Sequence, residues 1–364
     1  MQGKVTCDEN SGEKEDDCMN IYEQDIFTQP EDLHNAVRSY IEQSYYEKIK
    51  ELGAKRFGKI VMTGMGSSYS ACLNAASSLR RLGLQCIAQT TSQLLHFELS
   101  SIKEDTLLVV VSQSGRSGEI VELMEKLTVP CTVVGLTNDP ESPLGRRADL
   151  LLNLYVRPEQ AVSTRTYLAP LVLASLFADA FLGGSAEAFY RKVEAGIGGL
   201  QKNIDGFWEL DKKMEAFLQA PPYITLIGRG FDLTTVDAGA LFIKEVAKYP
   251  SIPFDAGQFR HGPFEMLGKE FHAIIFATEG PGCQMQLGLA QDIAKRGGKA
   301  VVVTDSDGLA DADGILVVQQ SYASPELACL QNILPVQCFG NITAKRKGLQ
   351  VGEFLFSSKI TTVQ

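Results

Sequence analysis

Long apolar runs and blocks of basic residues are both missing from this sequence of 364 residues. Because a membrane-spanning helix needs roughly 18 or more apolar residues in a row, we expect no membrane span. The 34 Lys and Arg residues are outnumbered by 44 Asp and Glu, and the net charge of −10 argues against nucleic acid as a partner. Residues 1–17 are acidic and polar, the reverse of a signal peptide, so we expect a cytoplasmic protein.

Metal-binding patterns are missing as well. None of the eight cysteines forms a Cys-x-x-Cys pair, and most lie in apolar contexts, which is typical of buried, reduced thiols. The four histidines are scattered: His34, His96, His261 and His272. We therefore expect no metal site. With 45% hydrophobic and 21% charged residues, the composition is that of a globular chain long enough for two domains.

Short apolar runs alternate with helical patterns along most of the chain. A helical stretch is predicted at about residues 30–52. Predicted strands of the first half then begin at Lys59, Leu107, Cys131 and Leu150. The run Leu107–Val111 is continuously apolar, which is typical of a strand buried on both faces of a parallel sheet. This alternation predicts an α/β fold of doubly wound parallel sheets flanked by helices.

The second half of the sequence repeats this plan. Predicted strands begin at Tyr223, Ala273 and Ala300. Gly64 and Gly228 lie 164 positions apart, and Thr137 and Thr304, which end corresponding strands, lie 167 apart. Matching landmarks at nearly one offset predict an internal duplication. The boundary is expected in the helical region 165–220.

A run of hydroxyl and amide side chains follows the strand that ends at Val111. It comprises Ser112, Gln113, Ser114 and Ser117. Where a buried strand meets a helix, free backbone N–H groups and the positive end of the helix dipole favour an anion. The pattern therefore favours a phosphate monoester held without a metal, although a serine-rich helix cap is the simpler alternative. It lacks the Gly-Lys-Ser/Thr of a nucleotide-binding P-loop.

A second strand-to-helix turn is formed by residues 64–68, Gly-Met-Gly-Ser-Ser. A dinucleotide fingerprint would need glycine at the next position, which is Tyr69, so we expect no nicotinamide site. Taken alone, this turn is equally well explained as a tight turn with a serine cap.

These two turns resemble those of the sugar isomerase (SIS) domain, and the duplicated layout resembles the tandem-SIS isomerase half of glucosamine-6-phosphate synthase. Further stretches fit in order: Ser163–Arg165, Gly228–Gly230, Phe242–Glu245, Arg260–Pro263 and Ser358-Lys359. We expect residues 1–20 to be a disordered acidic lead and residues 21–200 to be a first SIS domain with an N-terminal helix. Residues 201–364 would form a second SIS domain whose C-terminal tail lies over the active site.

The resemblance also implies roles for the residues of both turns. Ser112, Gln113, Ser114 and Ser117 would hold the substrate phosphate. Gly66, Ser67, Ser68 and Ser163 would contact the sugar. No cofactor is implied.

Two departures from the synthase bear on the reaction. Only about 20 residues precede the resemblance, where the synthase has a glutaminase domain, so we do not expect glutamine to be the nitrogen donor. Phe242 stands where the synthase has a catalytic lysine. Stand-alone tandem-SIS proteins of this length resemble amine-releasing enzymes instead, of the fructoselysine-6-phosphate deglycase and amino-sugar phosphate deaminase types.

The helical pattern at residues 236–248 places Glu245 on the same face as Ala238, Leu241 and Phe242. A carboxyl group on an apolar face is desolvated, so its pKa should rise toward neutrality, where it can both take and return a proton. The alternative is an exposed glutamate paired with Lys248. The resemblance places the catalytic glutamate of the family at Glu245.

Two further catalytic residues come from the resemblance. Histidine titrates near neutral pH, and Gly-Pro directly after His261 predicts a loop, so this side chain could open a sugar ring. In the family the histidine reaches the site of the other subunit, which implies a homodimer. Lys359 matches a family lysine that contacts the ligand, although a lysine near a chain end is ordinarily solvated. The apolar run Phe354–Phe356 is expected to pack as a lid.

The resulting prediction is a homodimeric phosphosugar enzyme that releases an amine from a fructosamine 6-phosphate to give a hexose 6-phosphate. Glu245 would move the proton between carbons 1 and 2. Deamination of an amino-sugar phosphate and simple aldose–ketose isomerisation stay open, as do the amine and the sugar epimer. A non-catalytic phosphosugar sensor is the alternative of another class, disfavoured because both Glu245 and His261 are kept and no helix-turn-helix pattern is present.

Overall fold

The computed structural model describes residues 19–159, 161–356 and 358–361, so the predicted acidic lead lies almost wholly outside the described residues. Ten strands of the described part form two five-stranded, entirely parallel sheets. The first sheet holds β1 (Lys59–Gly64), β2 (Cys86–Thr90), β3 (Thr106–Val111), β4 (Thr132–Thr137) and β5 (Leu150–Asn153). The second holds β6 (Ile224–Gly228), β7 (Ser251–Asp255), β8 (His272–Ala277), β9 (Lys299–Thr304) and β10 (Ile315–Gln319). The predicted α/β class is thereby confirmed.

The two sheets have the same topology. Their strand orders are β2-β1-β3-β4-β5 and β10-β9-β8-β6-β7. When each sheet is numbered from its own first strand and the second is read from its other edge, both orders are 2-1-3-4-5. In this order the second strand is added on one side of the first strand, and the third to fifth strands are added on the other side. In such sheets ligands bind in the crevice between the first and third strands, at their carboxyl ends. The crevice of the first sheet lies between the ends of β1 and β3, where Gly64 and Ser112 lie.

Fourteen α-helices of the described part connect and cover the strands. They are α1 (Ile21–Phe27), α2 (Gln29–Glu42), α3 (Tyr45–Gly53), α4 (Ser67–Arg81), α5 (Thr91–Gln93), α6 (Gly118–Lys126), α7 (Pro143–Arg147), α8 (Arg165–Phe181), α9 (Ala186–Asp205), α10 (Phe207–Leu218), α11 (Leu233–Ala247), α12 (Ala256–Arg260), α13 (Cys283–Lys295) and α14 (Cys329–Arg346). A π-helical turn (Leu94–Glu98) and short 3₁₀ turns (Leu99–Ser101, Gly230–Asp232, Pro263–Met266 and Pro325–Leu327) complete the fold. None of the helices in the described ranges is long and apolar enough to cross a membrane.

Two details differ from or go beyond the sequence analysis. The helical stretch predicted at about residues 30–52 is two helices, because Ser44 adopts the left-handed region (φ 53°) and ends α2 before α3 begins. The predicted domain boundary at residues 200–201 falls within α9 and stays a prediction.

The inner strands of both sheets are buried on both faces, as the continuous apolar run of β3 predicts. Leu107, Val109 and Val111 point into the largest apolar cluster, which spans both halves of the chain. Leu108 and Val110 point the other way, into a smaller cluster covered by α6. The second sheet has its own outer cluster under α13. The helices between the sheets therefore belong to one shared core.

Helices α4 and α11 join the two halves. Each follows the first strand of its own sheet, and the two pack against each other. The Ser70 hydroxyl donates to the Asp237 carboxylate at 2.6 Å, and Asn74 and Thr234 are hydrogen bonded through their side chains. This contact brings α11, a helix of the second half, to the crevice of the first sheet.

Candidate active site

A cavity of about 280 Å³ opens at the carboxyl ends of β1 and β3. Its walls come from the turns after both strands, from the start of α8, from the last turns of α11 and from the C-terminal segment. It is lined by Met65, Gly66, Ser67, Ser68, Ser112, Gln113, Ser114, Ser117, Glu119, Ser163, Thr166, Leu241, Glu245, Phe354, Ser358, Lys359, Ile360 and Thr361. Ten of the eleven residues predicted for the site thus line one cavity; the exception is His261.

The turn after β3 leaves several polar groups open to this cavity. Ser117 is the N-cap residue of α6, yet its hydroxyl makes no capping hydrogen bond. It lies 3.4 Å from the Ser112 hydroxyl, which accepts the Gly115 N–H at 3.1 Å. The alternative explanation of this turn, a serine cap of α6, is therefore not observed at Ser117. Together with the N-terminus of α6 they form a surface suited to an anion.

Gly115 explains how this turn can be so tight. Its φ is +61°, a conformation that L side chains rarely adopt. A Cβ placed on it would lie 2.1 Å from the Ser142 hydroxyl, closer than any real contact. The turn therefore needs glycine at this position.

Glu245 enters the cavity from the last turn of α11. Ala238 and Phe242 on the same face are buried, and Leu241 lines the cavity beside it. Burial raises the pKa of Glu245 from its ordinary 4.5 to about 7, against the opposing effect of the ammonium groups of Lys248 and Lys359. Both the rise in the pKa and its cause, burial on an apolar helix face, agree with the prediction from the sequence.

The alternative for Glu245, an exposed pair with Lys248, does not occur. The Lys248 ammonium donates to the Glu245 backbone carbonyl at 2.7 Å and to the carbonyl of Glu353. No described residue donates a hydrogen bond to the Glu245 carboxylate. The group is therefore desolvated, close to neutrality in its pKa, and open to a ligand.

Lys359 lines the same cavity from the C-terminal segment. Its ammonium is 3.0 Å from the carboxylate of Glu159 and donates to the carbonyls of Glu159 and Ala161 at 3.2 and 3.1 Å. The side chain is therefore held by the first half of the chain and is not the solvated lysine expected near a chain end.

The predicted apolar lid is only partly present. Phe354 lines the cavity and packs against the main core. Leu355 is about half exposed, and Phe356 is 97% exposed, so neither side chain covers the cavity. Phe354 therefore contributes the apolar packing of this segment, and polar contacts supply the rest.

His261 lies outside the cavity. It follows α12 directly, and its backbone N–H donates to the carbonyl of Gln258 at 2.9 Å. The residue is exposed. The loop predicted from the following Gly-Pro is present, but within this chain the imidazole is not part of the wall that Glu245 and Lys359 share.

Five polar residues at the site were not among the predicted site residues. Glu119, Thr166, Ser358 and Thr361 line the cavity, and Glu159 lies behind Lys359. A lone glutamate such as Glu159 carries no periodic or motif signal, because its burial depends on the segments that fold over it. Within the described ranges, no group of three or more His, Cys, Asp or Glu side chains is arranged to hold a metal ion.

Comparison with known proteins agrees with this architecture. The family model of the SIS domain matches residues 55–180 of this chain, which contain the first sheet and the turns after β1 and β3. A glutamine–fructose-6-phosphate aminotransferase (isomerizing) of Pyrococcus horikoshii is 28% identical over 330 residues, which are 89% of this chain and 54% of the relative. The chain therefore spans about half the length of the curated relatives that it matches.

The similarity to solved structures covers almost the whole chain. The C-terminal domain of glucosamine-fructose-6-phosphate aminotransferase from Francisella tularensis superposes with a TM-score of 0.83 at 20% identity, over 94% of this chain and 100% of that one. The glucosamine-6-phosphate deaminase of Thermotoga maritima gives a TM-score of 0.77 at 20% identity, over 94% and 99% of the two chains. The fold is thus that of two tandem SIS domains.

Proposed function

We propose that this chain, which carries a SIS domain and the tandem SIS fold, is an enzyme that processes a 6-phosphorylated sugar bearing an amine. Its reaction would release the amine from a fructosamine 6-phosphate and leave a hexose 6-phosphate. One observation carries the proposal: a single cavity has an anion-suited turn at one wall and, at another, a desolvated carboxyl group with a pKa of about 7. At neutral pH such a carboxyl group is present in both its protonated and its deprotonated form, so it can act as an acid and as a base.

The phosphate would bind the hydroxyls of Ser112, Ser114 and Ser117, the Gln113 amide and the N-terminus of α6. Hydrogen bonds to a charged phosphate are each worth roughly 1.5–3 kcal/mol, so this turn can fix the far end of the substrate. Gly66, Ser67, Ser68 and Ser163 would face the sugar hydroxyls. The reacting carbons 1 and 2 would then lie toward Glu245.

The chemistry requires one proton to move between two carbons. Glu245 would remove a proton from carbon 1 of the open-chain ketoamine, which gives an enaminol. Return of the proton to carbon 2 converts the enaminol to an aldimine, and water then hydrolyses the carbon–nitrogen bond to an aldose 6-phosphate and free amine. A carboxyl group with a pKa near 7 suits both halves of this transfer.

Phe242 supports amine release over amine addition. It occupies the position at which the synthase has a catalytic lysine, and it is fully buried. Its ring packs edge-to-face on Tyr167, with 5.2 Å between ring centroids. No ammonium group can act from that position, so the proposed chemistry rests on Glu245.

Ring opening would be the task of His261 from a second copy of the chain. The exposure of His261 and its place outside the cavity support this assignment, since the side chain is free to enter a neighbouring subunit. The active unit would then be a homodimer with two shared sites.

Deamination of a 2-amino-sugar 6-phosphate is the second candidate, and it is favoured by the likeness to the deaminase of Thermotoga maritima along nearly the whole chain. The same carboxyl group would move a proton from carbon 2 to carbon 1. Aldose–ketose isomerisation of a sugar phosphate without an amine uses the same groups. A phosphosugar sensor would bind such ligands without turnover.

The test is product detection with matched substrates. The protein is incubated separately with fructosamine 6-phosphates, with 2-amino-sugar 6-phosphates and with plain hexose 6-phosphates, and released amine, glucose 6-phosphate and fructose 6-phosphate are measured. We expect amine together with an aldose 6-phosphate from the first group. Fructose 6-phosphate with amine from the second group alone would favour the deaminase. Binding without any product would reject catalysis.

A further inference from the structure

The side chain of Glu159 is fully buried, in the loop between β5 and α8. Its carboxylate accepts the Thr164 N–H at 3.2 Å, the Thr164 hydroxyl at 2.9 Å and the Thr166 hydroxyl. These donors orient the carboxylate but leave its charge uncompensated. A carboxylate that is buried without a cationic partner is strongly unfavourable, so the source of its counter-charge matters.

Lys359 supplies that charge. Its ammonium lies 3.0 Å from a carboxylate oxygen of Glu159 and donates to the Glu159 and Ala161 carbonyls, which accounts for all three of its hydrogens. Among the described residues the only other cation within salt-bridge range is Arg165, at 4.0 Å. The Arg165 guanidinium is already paired with Asp25 and Asp32 at 2.9 and 3.3 Å.

This ion pair lies in the middle of the segment that forms one wall of the cavity. Before it, the Glu353 carbonyl accepts the Lys248 ammonium. After it, the Thr361 carbonyl accepts the Gly118 N–H at 3.1 Å, beside the hydroxyl turn. Besides the packing of Phe354, these three polar contacts of described residues attach the segment, and of the three the pair with Glu159 involves two charges.

We propose that Glu159 is the positioning residue of the site: it holds Lys359 and, through Lys359, the C-terminal segment against the cavity. Glu159 does not line the cavity itself, so it acts through the lysine and not on the substrate. The catalytic part of this inference rests on the proposed function, whereas the part that concerns the position of the segment does not.

The first test is Glu159→Gln, which keeps the shape and the acceptor for the threonines but removes the charge. We expect a KM at least tenfold higher and a lower kcat, because Lys359 and the wall it carries lose their fixed position. Glu353→Gln is the matched control, since Glu353 is an exposed carboxylate on the same segment, and it should leave both constants unchanged.

A double variant separates positioning from a merely structural role. In a Lys359→Met background, Glu159→Gln should cost no more than twofold in kcat/KM, because the group through which it acts is already gone. An equal tenfold cost in both backgrounds would overturn the proposal. Glu159→Asp, which keeps the charge one methylene shorter, should lie between the wild type and Glu159→Gln, and it serves as the test should Glu159→Gln fail to fold.

A second measurement needs no substrate. A lysine-specific protease cleaves after Lys359 only when that segment leaves its place, and intact mass reports the cut. We expect cleavage at Lys359 to be at least tenfold faster in Glu159→Gln than in the wild type or in Glu353→Gln. Equal rates in all three proteins would overturn the positioning role. Faster cleavage together with no turnover of any substrate by the wild type would uphold it while rejecting the proposed function.

Discussion

The two halves of the molecule build the same crevice and then fill it differently. Each first strand ends in a glycine turn with a positive φ, +52° at Gly66 and +62° at Gly230. Four residues after the strand ends, the first half has Ser68 and the second half has Asp232. The Asp232 carboxylate accepts the Thr278 hydroxyl at 2.5 Å and the Thr278 N–H at 3.3 Å. The polar groups that are open in the first crevice are therefore occupied in the second.

The helix that crosses from the opposite half also differs. Glu245 lies 17 positions after Gly228, and the residue 17 positions after Gly64 is Arg81. Glu245 lines the first cavity. Arg81 lines a cavity at the carboxyl ends of β6 and β8, where it lies 3.8 Å from the Glu326 carboxylate and over the Phe231 ring.

A shared fold does not fix the chemistry of its crevice. The strand order, the glycine turn and the crossing helix are the same in both halves, so they position a site without defining it. Two exchanges separate the crevices: the crossing helix brings glutamate to the first and arginine to the second, and Ser68 of the first is replaced in the second by the hydrogen-bonded Asp232. The proposed reaction therefore depends on the first cavity and on few residues within it.

The largest expected effect comes from removing the Glu245 carboxyl group, to which no described residue donates a hydrogen bond. Glu245→Gln keeps the shape of the side chain but removes the base, so turnover should fall by roughly 10²–10⁴ with little change in substrate binding. In deuterated water the wild type should place deuterium at carbon 2 of the aldose product. Near-normal turnover of Glu245→Gln would show that another group is the base.

The matched change in the second half is Asp232→Asn. Asp232 is also a buried carboxyl group with a raised pKa, of about 6, but hydrogen bonds from Thr278 and Asn332 occupy it. We expect this variant to lose thermal stability and to keep the KM of the wild type. A fall in turnover as large as that of Glu245→Gln, at a temperature where the variant is folded, would contradict the division between the two crevices.

The next effect concerns the hydroxyl turn. Ser114→Ala combined with Ser117→Ala should raise KM by about 10² or more, because each lost hydrogen bond to a charged group is worth roughly 1.5–3 kcal/mol. Thr278→Val, at the end of the equivalent strand β8, is the control and should leave KM unchanged. Unaltered kinetics of the serine double variant would reject the phosphate assignment.

A smaller, quantitative effect tests whether the site is shared between two subunits. Glu245→Gln and His261→Asn subunits are each expected to be inactive. If His261 acts on the neighbouring chain, a mixed dimer has one intact site of two. Refolding the two variants in equal amounts should then recover about a quarter of wild-type activity, since half of the dimers are mixed. No recovery would place both groups within one chain.

The central strands are what the sequence predicts best. The continuously apolar β3 and the predicted strands at Lys59 and Cys131 are found within a residue of their predicted starts. The strands β2, β7 and β10 escape prediction, and all three lie at sheet edges. Edge strands need not be apolar on both faces; β7 even contains Pro253, which only an edge position tolerates well.

The residues of the site also differ in how well the sequence predicts them. Ser112, Ser117 and Glu245 lie at strand ends or on a regular helix face, so sequence position alone indicates where they point. Glu159 has no such signal, because its burial arises only when α8 and the C-terminal segment close over it. His261 depends on a second copy of the chain in the proposed assembly, and the sequence of one chain can indicate this only through resemblance.

The smallest effect is one of stability, and its sign follows from the pKa of Glu245. The pKa rises from 4.5 to about 7 on folding, so the folded protein holds this proton more tightly than the unfolded chain does. The contribution favours the fold fully below about pH 4.5 and is lost as the pH rises through about 7. A shift of this size corresponds to at most about 3 kcal/mol.

Glu245→Gln has no such titration. Its melting temperature should therefore exceed that of the wild type by about 3–6 °C at pH 8, and the difference should shrink toward pH 4.5, where the wild-type carboxyl is protonated as well. Asp232→Asn should melt below the wild type at both pH values, because its amide group would face the Thr278 donors. Thermal unfolding of the three proteins across this pH range makes the comparison. If Glu245→Gln melts at or below the wild type at pH 8, the carboxyl group is stabilised by a partner in solution and the cavity does not hold it desolvated and ready for the proton transfer.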